Sequence, residues 1–158
     1  MTTYQQIMET PLGDLVIQAT AQGLTYVGFD ASRFLPKCTE KNAMTKLGHI
    51  QLSEYFAGQR QQFSVPLDVK GTAFQAQVWG ALADIGFGQT HSYSDIALTI
   101  NNPKSVRAVG SANGRNPISI IVPCHRVIGS NGTLTGYAGG LERKQWLLQF
   151  EQAILNRQ

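Results

Sequence analysis

The chain has 158 residues, 42% hydrophobic, 9% aromatic and 15% charged, enough to bury a core without disulfide or metal staples, as one domain or two sharing a chain. Thirteen Lys and Arg against ten Asp and Glu give a net charge of +3 and a pI near 9.0, which permits a polyanionic partner without demanding one. There is no apolar run of membrane-spanning length, Met1–Thr10 lacks the pattern of a secretory signal, two cysteines exclude a disulfide scaffold, and the composition is not that of a disordered chain.

Leu12 to Thr20 is rich in strand formers, and Gly23 to Phe29 carries Leu24, Tyr26, Val27 and Phe29. Ala21-Gln22-Gly23 fits a hairpin turn between them. Thr45 to Ala57 reads as a helix with Leu47, Ile50, Tyr55 and Phe56 apolar and Gly58 as its stop. Phe63, Val65 and Leu67 alternate like a short strand. This half is a small sheet with a helix on it, and no residue in it points to chemistry. A boundary is expected near Val69-Lys70-Gly71, which divides the chain into 1–70 and 71–158.

Beyond the boundary the helix signals sharpen. Thr72 with Gln75 forms a capping pair ahead of Phe74, Val78, Trp79 and Leu82, in a helix ending near Ile85-Gly86. Ser92 with Asp95 repeats the pattern before Tyr93, Ile96 and Ala97. Asn101-Asn102-Pro103 then ends one helix and starts another, with Asn102 as cap and Pro103 in the first turn. That next helix carries Val106 and Val109 and ends near Asn113-Gly114. Two short helices across a tight polar turn make a helix-turn-helix candidate. The second contains the small residues Ala108, Gly110, Ser111 and Ala112, so it can lie close to another helix or to a nucleic-acid groove. Lys104, Arg107, Arg115 and Arg126 fall in a window, 104–126, without Asp or Glu.

Ile118 to Val122 has the pattern of a buried strand and runs into Pro123-Cys124-His125-Arg126-Val127, followed by a glycine-dense loop. A cysteine in such a place is either a small buried hydrophobe or a nucleophile, and the second needs a base or positive charge beside it. His125 and Arg126 are adjacent, but neighbours on an extended strand point to opposite faces, so cooperation requires a turn or a bridging water. Cys38, His49 and His91 show no paired zinc-ligand spacing, and no metal is expected. Leu141 to Leu155 reads as an amphipathic helix, and Glu151 stands on its apolar face among Leu147, Leu148 and Leu155. A buried carboxylate must be paired: it either neutralises an Arg or Lys, or orients a histidine.

Pro123-Cys124-His125-Arg126-Val127 resembles the active-site signature of the O6-alkylguanine-DNA alkyltransferases. The resemblance runs in order through Phe74-Gln75-Ala76-Gln77-Val78-Trp79, Ser92-Tyr93, Asn102-Pro103-Lys104, Arg107-Ala108-Val109-Gly110 and Asn116-Pro117. It continues through Tyr137-Ala138-Gly139-Gly140-Leu141 and Lys144-Gln145-Trp146-Leu147-Leu148. In the first half it is confined to Thr10-Pro11-Leu12-Gly13. It implies an α+β fold: a small N-terminal antiparallel sheet with a helix, ribonuclease H-like, then a mostly helical C-terminal domain with the helix-turn-helix and the cysteine.

The resemblance also implies roles. Cys124 takes the alkyl group from guanine, His125 is a base acting through a bound water, Glu151 orients it, and Asn116 is the hinge asparagine. Tyr93 stands beside the flipped nucleotide and supplies a proton to the leaving base. Arg107 enters the DNA stack, with Asn102, Ser94, Lys104, Ala108 and Ser111 on the same DNA-facing surface. Val127 and Ala138 contact the base through their main chain, and Tyr137, Gly139, Ser119 and Leu134 complete the pocket. The implied partner is double-stranded DNA carrying O6-alkylguanine, bound through the minor groove by a cytoplasmic monomer able to bind cooperatively along DNA, with no membrane and no cofactor. The implied reaction is a single irreversible transfer, with O4-alkylthymine a poorer substrate. The alternatives are a lesion sensor, a sequence-specific regulator and a cysteine hydrolase.

Overall fold

A computed structural model describes residues 2–157. It is an α+β structure whose chain divides into two compact units. One comprises residues 1–70 with 117–121, the other 71–116 with 122–158.

The first unit is an antiparallel sheet in the order β1 (Tyr4–Thr10), β2 (Gly13–Ala19), β3 (Leu24–Gly28), covered by α1 (Ala43–Phe56). Leu15, Val16, Ile17 and Ala19 of β2 are all buried, as expected of a central strand. The register runs from Tyr4 opposite Ala19 to Thr10 opposite Gly13. Thr20 N–H donates to the Gly23 carbonyl and closes the turn expected over 21–23.

The first strand carries no period-two signal, and the reason is visible. Ile7 faces outward while Gln5 faces the core. Gln5 is admitted because its amide is fully used. It donates to the carbonyls of Leu35 and Cys38 and accepts from Leu35 N–H and from Gln18, whose amide also reaches the Arg33 carbonyl. This pair fastens the loop after the 3-10 turn Ala31–Arg33 to the sheet.

Helix α1 begins two residues before the expected start, because Asn42 and Thr45 form a reciprocal capping box. Its buried face is Thr45, Gly48, Gln51, Leu52 and Tyr55, and Ile50 is exposed. Gly48 lets the helix press on the sheet: a Cβ there would sit 3.2 Å from Leu24 Cδ1. Phe63–Leu67 is not a strand, only an extended run with one bridge from Leu67 to Leu24.

The second unit contains α2 (Ala73–Ala83), β4 (His91–Ser92), α3 (Tyr93–Thr99), α4 (Val106–Gly114), β5 (Val127–Ile128) and α5 (Leu141–Leu155). The Thr72–Gln75 and Ser92–Asp95 capping boxes both form. Trp79 is buried and its indole donates to the Ala112 carbonyl at 2.9 Å, tying α2 to α4. Asn102 does not cap the next helix. Asn101 adopts a left-handed conformation (φ 58°) and Asn102–Ser105 forms a separate turn, so α4 starts at Val106 after Ser105.

The expected strand over 118–122 is absent. Val27 N–H donates to the Pro117 carbonyl, and Ser119 N–H returns to Val27. Ile120 then turns left-handed (φ 73°), which a β-branched residue adopts only under strain. Tight turns close Ser119 to Ile121 and Val122 to Cys124.

Gln5→Leu is expected to strand the Leu35 N–H and the Leu35 and Cys38 carbonyls, leave Gln18 only its bond to the Arg33 carbonyl, and destabilise the chain by about 2–3 kcal/mol. Urea unfolding at neutral pH measures it, and an unchanged midpoint would contradict the fastening role of this pair.

Candidate active site

Cys124 lies in a single 3-10 turn, Cys124–Arg126, that leads directly into β5. The turn meets the condition that an extended strand would not, since neighbouring side chains no longer alternate. β5 pairs in parallel with β4, His91 opposite Val127 and Ser92 opposite Ile128. Tyr93 begins α3 immediately after β4, so this two-residue ladder holds the segments of Tyr93 and Cys124 side by side.

Glu151 is fully buried and surrounded by donors. Its Oε2 meets His125 Nε2 at 2.7 Å and accepts from Arg126 Nη2 at 2.9 Å. Its Oε1 accepts from Arg126 Nε at 2.8 Å and from Gly88 N–H at 3.1 Å. Burial alone would raise this carboxyl, but the hydrogen bonds and charges of His125 and Arg126 outweigh it and hold it at about 2. The sequence left open whether Glu151 neutralises an arginine or orients the histidine. It contacts both. The second arm of Arg126 donates to the Ile85 carbonyl at 2.7 Å. Gly88 is required where it stands: it has φ +77°, and a Cβ there would come within 2.1 Å of Leu155 Cδ1.

An ionised carboxylate against Nε2 fixes the histidine tautomer, with the proton on Nε2 and the lone pair on Nδ1. Burial lowers the affinity of His125 for a second proton, partly opposed by Glu151. The ring is therefore neutral, and its Nδ1 has no hydrogen-bond partner among the described residues.

The Cys124 side chain is buried, and burial pushes its thiol up. A hydrogen bond from the Asn116 side chain and the positive charge of Lys144 pull the other way. Asn116 Nδ2 also donates to the Val122 carbonyl at 2.8 Å, clasping the two ends of the second unit between which residues 117–121 leave and return. Asn113 Nδ2 approaches the Cys124 carbonyl at 3.5 Å.

Lys144 was not singled out from the sequence. It is fully buried, and its Nζ donates to the carbonyls of Val127 and Thr135, each at 2.6 Å. Burial lowers it to about 8, against the opposing pull of Cys124. The available signal was its position: Lys144, Leu147, Glu151 and Ile154 form the buried face of α5. A lysine seven residues from a buried glutamate shares its face.

Arg126 requires a correction. The sequence places it in the basic window, but it is buried and paired with Glu151. The window's exposed cations are Lys104, Arg107 and Arg115: Arg107 lies on α4 with the exposed Ala108 and Ser111, Lys104 in the turn before the helix and Arg115 at its C-terminal end. Asn102 is also exposed, and Ser94 and Tyr93 are half-buried. Gly110 lies under Tyr93, where a Cβ would be 3.8 Å from the ring. Tyr137, Leu134 and Gly139 are half-buried and Ala138 is exposed, all in the loop before α5. The Val127 carbonyl is already used by Lys144. Ser119 belongs to the first unit.

These features define a buried cysteine next to a histidine–carboxylate pair, in one unit with a helix pair whose second helix exposes small residues and one arginine. Residues 73–153 match the family model of the 6-O-methylguanine DNA methyltransferase DNA-binding domain, and residues 3–69 that of its ribonuclease-like domain. The chain is 47% identical over 152 residues to a methylated-DNA–protein-cysteine methyltransferase of Methanosarcina acetivorans, covering 94% of this chain and 97% of that one. It is 46% identical over 157 residues to a constitutive methylated-DNA–protein-cysteine methyltransferase of Bacillus subtilis, covering 94% and 95%. The crystal structure of Mycobacterium tuberculosis O6-methylguanine methyltransferase in complex with DNA superposes with a TM-score of 0.88 at 43% identity, covering 96% of this chain and 94% of that one. The chain belongs to the 6-O-methylguanine DNA methyltransferase family.

The depressed Glu151 makes stability depend on acid. The native carboxylate stays ionised down to about 2, while the unfolded one protonates near its ordinary 4.5. Its contribution is complete above 4.5 and is lost as pH falls toward 2, on the order of 3 kcal/mol. Glu151→Gln is expected to be less stable at pH 7, with the gap to the unsubstituted chain closing over that interval. Urea unfolding at stepped pH tests this, and a gap independent of pH would show that the carboxylate is not held ionised.

Proposed function

We propose that this protein repairs alkylated DNA by moving the alkyl group of O6-alkylguanine onto Cys124; the names of its relatives describe methyl transfer from DNA to a protein cysteine. The observation that carries the reading is the buried Cys124–His125 turn backed by the Glu151–Arg126 pair. The thiol proton passes to His125 Nδ1, directly or through water, while Glu151 steadies the imidazolium that forms. Asn116 and the Lys144 charge stabilise the sulfur anion. The thiolate attacks the alkyl carbon, a C–S bond forms, the C–O6 bond breaks, and its electron pair stays on guanine. Tyr93 gives the leaving guanine a proton, and solvent restores tyrosine and histidine to neutral.

The thioether at Cys124 has no means of reversal in this set of groups, so each molecule acts once. A stacked guanine keeps O6 out of reach of a buried sulfur, so the nucleotide flips out and the exposed face of α4 lies in the minor groove. Arg107 fills the place of the departed base, and Lys104, Asn102, Ser94, Ala108 and Ser111 border it. Val127, Ala138, Tyr137, Gly139 and Leu134 contact the extruded base. O4-alkylthymine presents the same alkyl–oxygen bond in a smaller ring and reacts more slowly. A cytosolic setting suits a thiol that must stay reduced.

Intact mass after mixing with excess duplex carrying one O6-methylguanine tests the reading. One methyl per protein, on the Cys124 peptide, is expected, and none for Cys124→Ala, which still binds the duplex. An unchanged mass with the duplex bound would mark a lesion sensor. His125→Asn is expected to slow transfer by about 100-fold. Arg107→Ala should slow reaction with duplex by about tenfold while leaving reaction with free O6-methylguanine base untouched. Equal slowing on both would remove Arg107 from the flipping step.

A further inference from the structure

We propose that Thr135 is a positioning residue for the transfer, holding the Tyr93 hydroxyl and the Lys144 ammonium in one network. The inference rests on the reading of Cys124 as alkyl acceptor and Tyr93 as proton donor. Thr135 Oγ1 donates to the Tyr93 hydroxyl oxygen at 2.9 Å. The Thr135 carbonyl accepts from Lys144 Nζ at 2.6 Å. One residue thus reaches the proposed donor with its side chain and the buried cation with its backbone.

The direction of these bonds matters. A phenol has one proton and two lone pairs. Thr135 Oγ1 takes up acceptor capacity of the Tyr93 oxygen and leaves the phenolic proton to be offered. Its contact in the structure is the Thr135 carbonyl at 3.4 Å, at the long limit for a hydrogen bond. That carbonyl is already claimed at 2.6 Å by Lys144. The Tyr93 proton is therefore weakly held and aimed from a fixed oxygen, as a donor to a transient acceptor should be. Thr135 lies on an exposed stretch between Gly132 and Gly136, both at positive φ. Its order comes from these contacts, and a β-branched side chain with few rotamers keeps its hydroxyl on Tyr93.

The test is a double-mutant cycle on the transfer step. The unsubstituted protein, Thr135→Val, Thr135→Ser, Tyr93→Phe and the Thr135→Val/Tyr93→Phe pair are mixed with saturating O6-methylguanine duplex, and methyl transfer is followed in a single turnover. Duplex affinity is measured separately. Thr135→Val is expected to slow transfer by about tenfold with affinity unchanged, and Thr135→Ser to recover to within about threefold. In the Tyr93→Phe background Thr135→Val should add nothing, because the hydroxyl it positions is gone. Thr135→Ala replaces Thr135→Val, with the same expectations, should the valine variant fail to fold.

Transfer by Thr135→Val at the unsubstituted rate would overturn the inference. So would equal slowing in the Tyr93→Phe background, or a loss of affinity alone. In each case Cys124 remains the acceptor. Absence of transfer by the unsubstituted protein is the distinct result that removes the reading of Cys124, and this inference with it.

Discussion

A carboxylate with no access to water is the constraint around which the second unit is arranged. An unpaired charge in that position would cost many kcal/mol, so Glu151 dictates what surrounds it. It draws a histidine and an arginine from the cysteine turn and a backbone N–H from Gly88. Arg126 in turn reaches the Ile85 carbonyl. Four hydrogen bonds on one carboxylate thus lock α5, the turn bearing Cys124 and the connection after α2. The histidine ring is fixed as part of the same packing, so the position of its Nδ1 is set by the fold.

On the proposed reading, the same burial keeps the nucleophile quiet. Desolvation pushes the Cys124 thiol up and lowers the basicity of His125, so the resting pair is thiol and neutral imidazole. Asn116 and Lys144 narrow the gap without closing it. A hydrolase cysteine works repeatedly and profits from a standing thiolate. A protein consumed by its own reaction has more to lose from stray alkylation or oxidation. On the proposed reading, a protonated sulfur inside a buried turn suits a group that reacts once.

Much of this is legible in the sequence. The capping boxes at Thr72 and Ser92 are local, their partners three residues apart, and form as read. Glu151 announced itself as an acid on an apolar face. Other features were illegible for a shared reason: they depend on partners far along the chain. β1 is a strand because Gln5 finds Gln18 and the loop carbonyls at Leu35 and Cys38. Arg126 looked like part of a basic surface because nothing nearby in sequence claims it, and its partner lies twenty-five residues on. The apolar run 118–122 has a strand's composition, but Ile120 leaves the β region. Asn102 has every local mark of a cap and loses to the left-handed Asn101 before it.

The inward turn of Arg126 changes what the outer surface can do. With it removed, the exposed surface of α4 keeps one cation, Arg107, beside the small Ala108 and Ser111, with Lys104 and Arg115 flanking the helix ends. Few cations mean little sequence-independent affinity and weak competition from undamaged duplex. Small side chains let the helix axis approach DNA closely, but they offer few donors and acceptors for reading base edges. On the proposed reading, discrimination cannot reside in this face. It must come from the cost of extruding a base, lowest where an alkyl group has already spoiled pairing, and from the pocket that receives it. The charge spent inside on Glu151 and the charge withheld from the surface serve one end, since both leave selection to the chemistry around Cys124.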